Sequence, residues 1–187
     1  TKIFDDTLVQ SQPLLAVTFV DNHDSQPLQA LESYIDFWFR PLPYALILLR
    51  EGGIPCVFYP DLFGAKYVDK TEEGYETGVE LVALATLPEM IRIRRDLAFG
   101  VQHDYLDFPT CIGWTREGVQ ERRQSGIAVL MSNSAMGMKL MEMGTEHTGK
   151  VMVDALGIRK EEVLIDENGC GEFYCNAGSV SVWIFSS

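Results

Sequence analysis

The chain has 187 residues, 47% hydrophobic and 22% charged, a composition that packs a core and excludes a disordered polymer. Fifteen basic against twenty-seven acidic residues leave a formal charge of −12. That charge is spread through both halves and argues against a nucleic-acid backbone or an anionic membrane as partner.

Residues 1–13 are polar and irregular. Residues 14–20, LLAVTFV, carry no charge and read as a strand buried on both faces, the form taken inside a parallel α/β sheet. The chemistry then changes abruptly to Asp21, Asn22, His23 and Asp24. Polar groups at the carboxyl ends of parallel strands face the site in such folds. The competing reading is a plain polar turn, for which Asp, Asn and Ser are ordinary residues.

After Ser25-Gln26-Pro27, apolar residues from Tyr34 onward recur at helical spacing. Pro41 and Pro43 fit only a first helical turn, which predicts a break near Arg40 and a fresh helix to Glu51, stopped by Gly52-Gly53. The aromatics Tyr34, Phe37 and Trp38 are expected to pack on the sheet and not to form a sugar platform. Residues 54–59 read as a second apolar strand, completing a right-handed strand–helix–strand unit. A loop rich in glycine and charge over 62–78 is followed by a predicted helix over 79–97, kinked or divided at Pro88.

From Gly100 the period shortens to two. Segments 101–107, 112–116, 126–132, 138–143, 151–155, 163–165, 172–174 and 180–185 read as short strands separated by Gly, Asn, Asp and Ser, the pattern of an all-β sandwich. The fold class is therefore α/β followed by all-β, with the division at 1–99 and 100–187. Two strands cannot close a sheet, so the first part reads as the last quarter of something larger.

The four cysteines show no metal-type spacing and read as free thiols of a reducing cytoplasm. Cys56 is expected to pack as a small hydrophobe, and Cys170 and Cys175 to face each other across a turn if any pair does. His147, between glycines on a loop, reads as solvent-exposed.

The string VTFVDNHDSQP over 17–27 resembles the fourth conserved region of the α-amylase superfamily, glycoside hydrolase family thirteen, which closes the seventh barrel strand. REGGIPCVFYPDLFG over 50–64 is similar to the eighth strand. FGVQHDYLDFPTCIGWTREG over 99–118 and GCGEFYCNAGSVSVWIF over 169–185 resemble the entry and close of the β-domain that follows the barrel. The nearest likeness is to the bacterial liquefying and intracellular branch.

The resemblance implies strands seven and eight of a (β/α)8 TIM barrel joined to a Greek-key β-sandwich. It also implies retaining endo-hydrolysis of α-1,4 links in starch and glycogen by three carboxylates. Asp24 matches the third carboxylate, which stabilises the transition state, and His23 matches a histidine that hydrogen-bonds the same sugar. Asp21 matches as a structural brace. No Asp or Glu of this chain stands in the motifs of the nucleophile or the acid/base, so the 187 residues by themselves are expected not to hydrolyse glucan.

By the same resemblance, His103 and Asp104, with Asn133 in place of a carboxylate, match part of a calcium site between barrel and sandwich. Pro60 departs from a position where relatives commonly carry Gly. Open barrel edges imply self-association. The alternative function is a non-catalytic sandwich that touches polysaccharide through Tyr105, Trp114 or Trp183, each of which falls in a strand pattern that reads as core.

Overall fold

The computed structural model describes residues 2–186. A short helix, α1 (Leu8–Ser11), precedes strand β1 (Val17–Phe19), which pairs in parallel with β2 (Ile54–Cys56). Between them runs α2 (Pro41–Leu49), with proline in its first turn as the sequence dictates. A one-turn helix, α3 (Tyr59–Phe63), follows β2.

Four expectations for this half are corrected. Residues 14–20 are not buried on both faces: Leu14, Leu15, Val17 and Phe19 are exposed and only Ala16 is buried. An apolar run encodes the capacity for burial, but β1 has a single neighbouring strand here. Residues 34–38 are irregular chain leading into a turn, not helix, and the rings of Tyr34 and Phe37 lie over Arg40. Residues 65–81 form an antiparallel hairpin, β3 (Ala65–Lys70) and β4 (Glu76–Leu81), where a loop and the start of a helix were expected. Gly74, at φ +86°, turns it. Pro88 does not divide a helix; it opens α4 (Leu87–Asp96).

All eight strands expected after Gly100 are present. They are β5 (Gln102–Phe108), β6 (Cys111–Arg116), β7 (Ile127–Ser132), β8 (Gly137–Glu142), β9 (Val151–Asp154), β10 (Glu162–Leu164), β11 (Cys170–Cys175) and β12 (Ser179–Phe185). Six of them form one antiparallel sheet in the order β10-β9-β12-β7-β6-β5, and β11 pairs with β8 in a second sheet.

The large sheet has a core on each face. Alternating residues of β6, β7 and β12, among them Trp114, Val129 and Val182, pack under α2 and α4. The opposite residues, among them Leu130 and Trp183, pack against Met141 and Phe173 of the small sheet. One apolar core thus runs across the expected division at residue 99. Two polar bonds lock the helical layer to the sheet. Arg94 Nη1 donates to the Leu48 carbonyl at 2.6 Å, and Trp114 Nε1 donates to the Leu49 carbonyl at 3.3 Å. Both carbonyls belong to the last turn of α2, where the helix leaves them without internal donors.

Candidate active-site loop

The loop after β1 is shaped by Asn22. Its Oδ1 accepts from the amides of Asp24 at 2.8 Å and Ser25 at 3.0 Å, an Asx turn that folds the backbone back on itself. Ser25 Oγ closes the turn by accepting from the Asn22 amide at 3.2 Å. The side chains of His23 and Asp24 are thereby turned outward, 83% and 61% exposed, with His23 Nε2 3.3 Å from Asp24 Oδ1. The next stretch of the loop is braced by the hairpin that sequence reasoning missed. Tyr67 Oη donates to the Pro27 carbonyl at 2.5 Å, and Gln29 Nε2 donates to Asp69 Oδ2 at 2.8 Å.

Beneath the loop lies a buried cluster. Asp21, Arg40 and Asp61 are all buried. Arg40 Nη1 meets Asp61 Oδ1 at 3.0 Å, its Nε donates to the Ile35 carbonyl at 2.8 Å, and its guanidinium lies 3.9 Å from the centre of the Tyr34 ring. Tyr44 Oη donates to Asp61 Oδ2 at 2.6 Å. Asp21 is less well served: Arg40 Nε is 3.8 Å from its carboxylate, beyond hydrogen-bonding distance. Burial, and then the Asp61 charge, push the Asp21 carboxyl up to about 6, with Arg40 pulling the other way. Neither Asp21 oxygen has a hydrogen-bond partner, so no contact here shows the brace role expected of it. Its neighbours Arg40, Tyr44 and Asp61 escaped the sequence reading because nothing in their spacing joins them. The one available signal was a lone arginine in the apolar stretch 35–49.

The Asp21 shift gives a signed prediction. With a folded-state value above the unfolded 3.8, the folded chain binds more protons than the unfolded chain between 3.8 and about 6. The stability tied to protonated Asp21 is therefore present at acid pH and lost as pH rises through that window. Asp21→Asn is expected to flatten the profile and to gain about 2–3 kcal/mol on the parent by neutral pH. Urea unfolding of both chains across the window checks it, and parallel profiles would contradict it.

The proposed calcium residues do not come together. Asp104 is held bidentately by Arg50, at 2.6 and 2.8 Å. Its neighbour His103 points to the other face of β5, where Nε2 lies 2.7 Å from Glu117 Oε1. The Asn133 amide donates to the Thr110 carbonyl, at the opposite end of β6 from Thr115, the register partner of His103. That separation is roughly 16 Å at strand rise. An arginine-neutralised carboxylate and two distant groups do not fit a calcium ion.

Three further expectations are corrected. His147 is buried, not exposed: its Nε2 donates to the Glu117 carbonyl at 2.6 Å, Lys150 Nζ donates to its Nδ1 at 2.9 Å, and its ring lies on Phe185. Cys56 is exposed, and Cys170 and Cys175 sit at the two ends of β11, not across a turn. Trp114 and Trp183 are wholly buried, as expected, and present no sugar platform.

A family model described as "Alpha-amylase C-terminal" matches residues 127–184, from the start of β7 nearly to the end of β12. The chain is 48% identical over 184 residues to the cytoplasmic α-amylase of Escherichia coli (strain K12), covering 98% of this chain and 37% of that protein. It is 48% identical over 182 residues to an α-amylase of Geobacillus stearothermophilus, covering 97% and 31%. It thus spans about a third of the length of these relatives. Among solved structures, α-amylase I from Eisenia fetida superposes with a TM-score of 0.61 at 13% identity, over 89% of this chain and 40% of that one; this shows a shared fold. The chain is thus similar to about a third of these α-amylases, and its residues 127–184 match the model of an α-amylase carboxyl-terminal domain.

Proposed function

We propose that the chain is part of a retaining α-amylase and supplies one of three carboxylates to a glucan-binding cleft completed by other residues of the enzyme. The observation that carries this reading is the Asx turn at the carboxyl end of β1, which presents His23 and Asp24 side by side to the exterior. In this reading residues 1–99 are the end of the catalytic barrel, with β1 and β2 as its last two strands, and residues 100–187 are the sandwich domain. The parallel pairing of β1 and β2 supports the assignment.

Asp24, an acceptor-only group when ionised, holds hydroxyls of the distorted sugar and offsets the positive charge that develops at the anomeric centre. His23 hydrogen-bonds the same ring. Starch, glycogen and maltooligosaccharides are the substrates of the whole enzyme.

The isolated chain is expected not to cleave an end-blocked maltooligosaccharide. Turnover that disappears in Asp24→Asn would mean that it holds a complete catalytic set. The exposed apolar side chains Val17, Phe19 and Ile54 need a cover that the other barrel strands would supply. Without those strands the chain is expected to pair with copies of itself, seen as a sedimentation coefficient that rises with concentration. A concentration-independent monomer would contradict this.

A further inference from the structure

We propose that Cys111 and Cys175 form an oxidisable dithiol, at which a low-molecular-weight disulfide writes a covalent link between the two sheets of the sandwich. All four cysteines are free thiols. Cys111 begins β6 in the large sheet and Cys175 ends β11 in the small one. What brings them together is Gly137, the register partner of Cys175 on β8. A Cβ at position 137 would collide with Cys111 Sγ and lie 3.1 Å from Cys175 Sγ, so both sulfurs lie beside the space that a side chain would fill. The two thiols are close enough for each to influence the other's ionisation. The other cysteines are elsewhere: Cys56 is exposed on β2, and Cys170 pairs with Glu142 at the far end of β11.

Exposure sets the order of reaction. Cys111 is half-buried and reachable, whereas Cys175 is wholly buried and reacts only through its neighbour. The Cys111 thiolate attacks one sulfur of oxidised glutathione, forming a mixed disulfide and releasing one glutathione thiolate. The Cys175 thiolate then attacks Sγ of Cys111, forming the protein disulfide and expelling the second glutathione thiolate. Two protein thiols are oxidised, one glutathione disulfide is reduced, and the two S–H protons end on the two leaving groups. Burial raises both thiols above their ordinary value, so the exchange is slow at neutral pH and quickens as pH rises.

The test is incubation of the folded chain with oxidised glutathione at mildly alkaline pH, followed by intact mass and peptide mapping. The expected product is lighter by two hydrogens and yields one cross-linked peptide joining Cys111 to Cys175. It melts about 5–10 °C above the reduced chain, because the link closes a long loop across two sheets. Cys111→Ser, at a half-buried site, is expected to keep the fold by circular dichroism and to leave Cys175 an unmodified thiol. A stable mixed disulfide at Cys111, a link from Cys175 to Cys170, or a cross-linked chain that melts no higher would each overturn the proposal. Mapping of the parent chain decides the pairing even if the variant misfolds.

Discussion

Replacing Arg40 with methionine is expected to destabilise the chain by about 3–5 kcal/mol at neutral pH, among the largest effects of any single substitution. The reason is asymmetry. The Arg40 side chain is 5% exposed and stands between two carboxylates that are 1% and 0% exposed. Methionine keeps much of the volume and the contact with the Tyr34 ring, but it leaves two buried like charges and an Ile35 carbonyl without its donor. One carboxyl must then take up a proton for the fold to persist. Asp21 is the candidate, because Asp61 retains the Tyr44 hydroxyl. The deficit is therefore expected to shrink as pH falls. Urea unfolding near pH 5 and pH 7 measures both features. Equal midpoints for parent and variant at pH 7 would show that Arg40 does not hold the cluster.

Trp114→Ala should cost a comparable amount, about 3–5 kcal/mol, by a different route. Trp114 is wholly buried where β6 meets α2, and its indole fills the layer between the helices and the large sheet. Truncation opens a cavity that the sheet cannot close, since neighbouring strands fix the backbone on one side and α4 holds α2 on the other. It also strips the Leu49 carbonyl of its donor. Trp114→Phe keeps most of the apolar contact and is expected to lose about half as much. Chemical denaturation of the three chains gives the ranking, and a Phe variant as unstable as the Ala variant would assign the effect to the hydrogen bond and not to packing.

The sandwich was legible because its signal is local. Alternation of period two, bounded by Gly, Asn and Asp turns, placed all eight strands to within about two residues, and the pleat alone decides which side chains face inward. Residues 65–81 failed for the opposite reason. Their alternation is short and strongly charged, as in AKYVDK, and only pairing across the Gly74 turn makes it a hairpin. The exposure of Val17 and Phe19 was illegible in principle, since burial depends on which strands lie alongside. At the site, His23 and Asp24 lie in the polar loop that the sequence marks after β1, whereas the Asx turn at Asn22 that turns them outward is visible only in the structure. The cluster beneath was hidden because it draws Asp21, Arg40, Tyr44 and Asp61 from three separate segments, the loop after β1, α2 with its cap, and α3. The metal trio implied by the resemblance is not assembled in this structure: neighbours on a strand, such as His103 and Asp104, face opposite ways.

The most direct test of the account exchanges this chain for the matching third of the Escherichia coli cytoplasmic α-amylase and measures cleavage of an end-blocked maltooligosaccharide. The account predicts that the chimera turns over and that Asp24→Asn within it lowers kcat by at least about a hundredfold, with the fold unchanged by circular dichroism. A folded chimera whose Asp24→Asn form is equally active would contradict the claim that this loop contributes a carboxylate to the glucan site.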